Sequence, residues 1–337
     1  MKKILVIDLR AAGFSLLRKF DKFLHYQNFP TVIYTTRPRY SEKINLKNRA
    51  YIFGNFNSNK LLRFIFLIVA NIHILLKNRR SSKLILLWHD LLVLDILKLL
   101  YFKDSFLVIH NVIRHGKNRP SKFDLLRWRF ANKLILLSDF SKNQLIAEYP
   151  ILEKKIAIIQ HPSVDDLGSV SVLKSHPKDR NYFLTFIGAD RVNRGLNQLK
   201  FMINSMPSYP KGDMTLSKQS YRKMLKILNS LTQNDFESAI KSNHIFVLPY
   251  IESTQSGVFY SLLGNQSLFI STNTGDTGDK MVKANLQGLF FDLEDQESLL
   301  KAIDYAEKNH KSIRNKLNKL KSLVNNNFKN DILKILG

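Results

Sequence analysis

The sequence predicts an α/β protein of two domains, each built on a parallel sheet flanked by helices. Three observations predict it. Strand-like and helix-like stretches alternate along both halves of the chain. At 337 residues with 45% apolar side chains, the chain exceeds one ordinary core and suits two domains of roughly 150 residues each. Finally, His244 to Leu263, HIFVLPYIESTQSGVFYSLL, reads as a short buried strand stopped by Pro249, a polar loop, and a helix opened by Ser256 and Gly257. Such a unit aims unpaired backbone N–H groups and the positive end of a helix dipole beyond the strand's carboxyl end, where an anion is the expected occupant.

Composition narrows the setting. Cysteine is absent, which excludes a disulfide framework and a thiolate metal site and agrees with a reducing compartment. Met1 to Lys3 leads straight into ILVI without signal-peptide architecture, so the protein is expected to stay inside the cell. The net charge is +25, with 29 Lys and Arg against 10 Asp and Glu in residues 1–160 and 23 against 17 in the remainder. A basic first half suits an anionic membrane surface or nucleic acid, or is solvation alone. No helix-turn-helix, zinc or RNP pattern is present, so nucleic acid is not the expected partner.

Along the first half, Ile4–Leu9 reads as a strand and Phe14–Tyr26 as a helix, joined by a turn ending in Gly13. One glycine is a weak fingerprint, and an ordinary βα turn fits as well as a ligand loop. Thr31–Thr35 and Tyr51–Phe53 are further strands. Leu61–Leu76 is the most apolar run, yet it is shorter than the roughly 18–20 uninterrupted residues a bilayer span needs and contains Arg63, Asn71 and His73. With Lys60, Lys77, Arg79 and Arg80 around it, a packed helix or one lying near lipid headgroups is expected. Strand Lys83–Trp88 ends in His89-Asp90, and strand Phe106–Ile109 in His110-Asn111. Ligand crevices of open α/β sheets lie outside strand carboxyl ends, which makes both histidines candidates. Arg114 and His115 follow in a basic loop that suits a phosphate or an acceptor. Ser121–Ala131 is a helix, Lys133–Leu137 a strand, Ser138 caps the helix Phe140–Tyr149, and strand Lys155–Ile159 ends in Gln160-His161. Residues 161–180 read as the interdomain linker.

The second half restarts the alternation. Strand Tyr182–Ile187 runs into Gly188 and a loop carrying Arg191 and Arg194, whose guanidinium groups are natural bidentate partners for phosphate oxygens. Ser217–Leu231 is expected to be an amphipathic helix and Asp235–Ser242 a shorter one. After strand Leu268–Ser271, residues 272–279 read as a loop in which glycines let backbone approach a ligand. Gly288–Phe291 is a strand, and Asp295–Asn309 and Lys311–Leu336 are the last helices.

These segments, in this order, resemble GT-B glycosyltransferases of the family 4 type. FIGADRVNRGLNQL, VLPYIESTQSGVFYSLL, FISTNTGDTGD and DLEDQESLLKAI resemble the donor-side motifs of that family, and LVIHN and LLSDFSKNQLI its acceptor-side ones. The resemblance covers most of the chain. It implies a GT-B fold of two Rossmann-like doubly wound domains facing across a cleft, here 1–165 on the acceptor side, 166–310 on the nucleotide-sugar side, and a C-terminal helix, 311–337, that packs back on the first domain.

By the same resemblance, His110 contacts the sugar and is a catalytic candidate with Glu252. Gly13, Gly188, Arg191 or Arg194, Tyr250, Gln255, Ser256, Gly257, Val258, Gly275 and Asp279 line the donor, whose diphosphate is the anion expected at Ser256-Gly257. His89, Arg114 and His115 fall on the acceptor side. No metal or other cofactor is expected, because cationic side chains and helix amides would offset the leaving group's charge.

Departures from the family pattern fall at the paired glutamates: Glu252 is present, while Tyr260 and Ser261 stand where the second belongs. The implied activity is transfer of a hexose from a UDP- or GDP-sugar to a lipid-linked or growing glycan, the expected partners being the nucleotide sugar, that acceptor and the inner membrane face. The expected setting is capsule, exopolysaccharide or O-antigen assembly, with retention of anomeric configuration. A catalytically silent partner subunit is the alternative that the missing glutamate raises.

Overall fold

In the computed structural model of the protein, the residues described are 2–9, 14–37, 46–55, 59–112, 119–164, 183–187, 194–205, 226–228, 244–253 and 256–337. The chain divides into two compact units: Met1–Pro162 with Asn327–Gly337, and Ser163–Asn326.

Unit 1 is a seven-stranded parallel sheet of β1 (Ile4–Asp8), β2 (Thr31–Arg37), β3 (Arg49–Asn55), β4 (Lys83–Leu86), β5 (Asp104–Ile109), β6 (Lys133–Leu136) and β7 (Ile156–Ile158), in the order β3-β2-β1-β4-β5-β6-β7. The order reverses between β1 and β4, which pair from Ile4↔Lys83 to Ile7↔Leu86. Every central strand is apolar on both faces, as a sheet covered on both sides requires. Leu5, Ile7, Leu84, Leu86, Leu107 and Leu134 enter one core with α2 (Lys60–Lys77), α3 (Leu92–Tyr101), α4 (Lys122–Phe130) and α5 (Asp139–Glu148). Ile4, Val6, Ile85, Val108 and Ile135 enter the other, with α1 (Phe14–Tyr26) and the end of the last helix.

Unit 2 has a four-stranded parallel sheet among the described residues. Its strands are β8 (Phe183–Ile187), β9 (Lys226–Leu228), β10 (His244–Leu248) and β11 (Phe269–Ser271), in the order β11-β10-β8-β9. Around it lie α6 (Leu196–Ser205), α7 (Gly257–Asn265), α8 (Gly275–Lys283), α9 (Gln296–Lys308) and the first part of α10 (His310–Leu336). One apolar stripe runs the length of α10. Ile313, Leu317, Leu320 and Val324 belong to the core of unit 2. Phe328, Ile332 and Leu336 belong to unit 1, where Phe328 meets Phe20 edge to face with centroids 5.3 Å apart.

Several local expectations change. Leu92–Tyr101, unassigned from sequence, is helix α3. Lys226–Leu228 lies in a strand and not in a helix, because the edge of β8 offers it a ladder from Thr185↔Lys226 to Ile187↔Leu228. The helix expected at 235–242 and most of the linker lie outside the described residues. The loop expected at 272–279 turns helical at Gly275, and Gly278 serves packing: a Cβ on it would sit 2.4 Å from Asn273 Oδ1. Gln287–Leu289 forms a 3₁₀ turn, and the expected strand at 288–291 is reduced to one bridge between Phe290 and Ser271.

Candidate active site

In unit 1 the chemistry gathers at the carboxyl ends of neighbouring strands. β4 stops at Leu86, two residues earlier than expected, so Trp88 joins His89 beyond the sheet edge. β5 ends at Ile109 and presents His110, while β7 leads to Gln160 and His161. The Trp88 and His110 rings lie 4.2 Å apart at a tilt, and Trp88 stacks on His89 at 5.9 Å. An aromatic wall of this kind suits the apolar face of a sugar ring or a base.

Hydrogen bonding fixes both buried imidazoles. His110 Nε2 lies 2.8 Å from the Leu87 carbonyl oxygen. A carbonyl only accepts, so Nε2 carries the proton and Nδ1 keeps a lone pair. His161 Nδ1 lies 2.7 Å from the Pro162 carbonyl oxygen, which leaves Nε2 as its acceptor. Burial pushes the His110 pKa down to about 4, the Leu87 bond opposing and His89 assisting. Burial pushes His161 to about 3, with His110 and Lys19 also lowering it. Near neutral pH both rings are therefore uncharged, and His110 can accept a hydrogen bond from a hydroxyl but has no second proton to give.

A buried ion network holds the loop after β4. Lys98 Nζ, wholly buried, lies 3.2 Å from Asp95 Oδ1 and 3.5 Å from Asp90 Oδ2. Asp95 Oδ2 accepts from the Asp90 N–H and from Arg127 Nε, each at 2.9 Å. Asp90 follows His89 directly, so α3 and α4 grip the segment that carries Trp88 and His89.

In unit 2, Gly195 has φ +63°, and a Cβ there would fall 1.9 Å from the Pro249 carbonyl oxygen. Only glycine lets the start of α6 approach β10 so closely. Arg194, its neighbour, then lies over the Tyr250 ring at 4.9 Å and donates to the Tyr250 hydroxyl at 3.0 Å. That hydroxyl shares a 2.7 Å bond with Ser256 Oγ, which also accepts from the Phe259 N–H as the N-cap of α7. Burial raises the Tyr250 pKa against the lowering effects of Arg194 and Ser256, so the phenol stays protonated.

Gly257 behaves differently from Gly195. Among the described residues, a Cβ there would meet nothing within 4 Å. None of those residues requires glycine at that position, and at the first turn of α7 helix geometry leaves the N–H groups of Gly257 and Val258 without intrahelical acceptors.

The remaining candidates separate. Glu252 is exposed, Val258 is half-buried against the core, and Asp279 faces solvent. Gly275 starts α8 at φ +55°. The buried acid of α8 is Asp276, which accepts from the Tyr260 hydroxyl and lies 3.9 Å from Lys280. Gly13, Arg114, His115, Gly188, Arg191 and Gln255 lie outside the described residues. Sequence reasoning did not single out Trp88, His161 or Asp276. A third strand ending in histidine was a signal for His161, whereas nothing local marked Asp276.

Two parallel sheets with strand-end chemistry invite comparison with known folds. A sucrose-phosphate synthase from Thermosynechococcus elongatus matches with TM-score 0.64 at 12% identity, over 99% of this chain and 97% of that one. The chain has the GT-B fold. Anabaena HepE in complex with UDP and glucose matches with TM-score 0.62 at 12% identity, over 99% and 97% of the two chains. The apo lipopolysaccharide outer core galactosyltransferase WaaB matches with TM-score 0.59 at 12% identity, over 99% of both. No family model and no curated protein matches by sequence. Within the GT-B fold, the Arg194, Tyr250 and Ser256 chain belongs to the C-terminal unit and the histidine cluster to the N-terminal one.

Proposed function

We propose that this GT-B protein is a glycosyltransferase that moves a hexose from a UDP- or GDP-linked donor to a lipid-linked or growing glycan. The observation that carries the reading is the Ser256-capped start of α7 at Gly257, uncrowded among the described residues, beside the Arg194–Tyr250 pair. As the glycosidic bond breaks, negative charge grows on the departing diphosphate. Helix amides and a guanidinium that favour that charge lower the barrier. His110, neutral and with a free Nδ1, accepts a hydrogen bond from a sugar hydroxyl, and Trp88 packs beside it. Charge neutralisation by Arg194 makes metal unnecessary, so EDTA should leave transfer unchanged.

The setting we propose is cell-surface polysaccharide synthesis, capsule or O-antigen, with retention of configuration and peripheral attachment to the inner face of the cell membrane. The lipopolysaccharide galactosyltransferase among the GT-B neighbours supports this setting. A thermal-shift panel of nucleotide sugars tests donor binding first, since a ligand at about 100 times its dissociation constant stabilises by roughly 2.7 kcal/mol. Transfer to membrane-extracted acceptor tests the rest. If folded protein responds to none of the common donors, the reading fails.

One observation favours a catalytically silent partner subunit. Tyr260, one of the two residues that stand where the resembled family carries its second glutamate, is wholly buried with its hydroxyl held by Asp276. Arg194→Ala and His110→Ala distinguish the two readings, because a silent subunit would lose no transfer activity.

A further inference from the structure

Helix α2 is apolar on two faces. Inward it sends Ala70 and Ile74 into the unit 1 core, with Leu67 and Leu75 packed against it; beside them Asn71 is buried and bonds the Leu67 carbonyl at 2.6 Å, and His73 packs against Tyr34, Tyr51 and Phe53. Outward it presents Leu61, Ile65, Val69, Ile72 and Leu76. These positions recur at the helical spacing that lines one face, and Leu61 and Leu76 are 68% and 80% exposed.

Neighbouring α3 continues the surface with Val93, Leu97 and Leu100, spaced one helical turn apart, and α4 adds Phe123. Apolar patches of this extent on a soluble surface mark an interaction site. No helix among the described residues is long and apolar enough to cross a membrane, so the surface can lie on a bilayer but not span it.

Charge selects the occupant. From Asn59 to Lys103 the acids are Asp90 and Asp95, and in α4 the acid is Asp124. All three are buried against Lys98 or Arg127. Lys60, Lys77, Arg79, Arg80, Lys103 and Lys122, by contrast, are exposed at or just beyond the ends of these helices. A second copy would set like charge against like charge, whereas anionic headgroups would meet cations at the ends of apolar stripes.

We propose that the outer faces of α2, α3 and α4 form a docking surface for an anionic lipid bilayer. The apolar stripes enter the headgroup–acyl boundary, the helices lie in its plane, and the lysines and arginines at the helix ends meet lipid phosphates. This deepens the reading of a lipid-linked acceptor and rests on it for its purpose, although the binding can be measured without a donor.

Flotation with vesicles of phosphatidylcholine, with and without about a third phosphatidylglycerol, tests it alongside thermal shift with UDP. Wild-type protein is expected to float with the anionic vesicles and to retain part of that binding at about 0.5 M salt, where surface charge is screened but apolar burial is not. Ile72→Glu combined with Val93→Glu, both at exposed positions, should cut the partition about tenfold or more while leaving the melting temperature and the UDP response intact. The proposal is overturned if wild-type protein ignores anionic vesicles, if the double variant binds them as well as wild type does, or if the surface instead mediates a dimer that the variant abolishes. Vesicle binding without any nucleotide response would sink the transferase reading and leave the docking surface standing.

Discussion

Unit 1 exposes large apolar side chains in continuous stripes over three adjoining helices. Unit 2, among the described residues, exposes Phe201, Ile251, Val282 and Leu323 one at a time on separate elements. Unit 1 also buries charge and imidazole beside its sheet edge, where unit 2 places a tyrosine hydroxyl between a guanidinium and a helix cap. Both are doubly wound parallel sheets, so the plan of strands does not set these differences. On the proposed function they answer to different ligands: an apolar surface with cations at its helix ends and neutral histidines suit lipid and sugar, and a helix start with arginine suits a phosphate.

Four measurements break or sharpen this contrast. Lys98→Met should have the largest effect, because Asp90 and Asp95 would be left buried without their shared cation. A loss of about 3–5 kcal/mol is expected in denaturant titration, and a loss under about 1 kcal/mol would show that the network does not hold unit 1.

Acid should act next, and on unit 1. Unfolded histidine titrates near 6.5, and the folded values of His110 and His161 are about 4 and about 3. Between those limits the unfolded chain binds more protons, so stability falls as pH drops below about 6.5 and is unaffected above it. The cost is a few kcal/mol between pH 7 and 4, with His161, the more strongly shifted, contributing the larger share. Calorimetry from pH 7 to 4 reads it, and His161→Gln should flatten the dependence.

Gly257→Ala sharpens the contrast within unit 2. With nothing among the described residues within 4 Å of the new Cβ, the melting temperature should hold while affinity for a nucleoside diphosphate falls about tenfold, or roughly 1.4 kcal/mol. Equal affinity would remove the diphosphate from that helix start.

The smallest effect compares two serines that cap helices alike, Ser138 on α5 and Ser256 on α7. Replacing either with alanine should cost about 1 kcal/mol of stability. Only Ser256→Ala should also weaken nucleotide binding, because Tyr250 and Arg194 are tied to it. Matching nucleotide responses would mean that Ser256 serves the helix alone.

Much of the site was legible because strand ends are legible. A proline after β10 and histidines after apolar runs mark where a sheet stops, and the capping serines mark where helices begin. Trp88 was hidden because an aromatic after KLILL reads as strand until the ladder is seen to end at Leu86. Asp279 drew notice beside two glycines, whereas Asp276 holds the buried position, since helical rotation decides which of two nearby acids turns inward.

By itself the sequence determined the alternation of strands and helices, the apolar strands that sheets covered on both faces demand, and the excess of cations in the first half. These are properties of residues and of short-range periodicity. Only the tertiary structure decided that Lys226–Leu228 joins a sheet, that Gly195 is needed where α6 meets Pro249, and that α2 exposes a second apolar face beside the one it buries. Each of those depends on atoms distant in the chain, which no local pattern specifies.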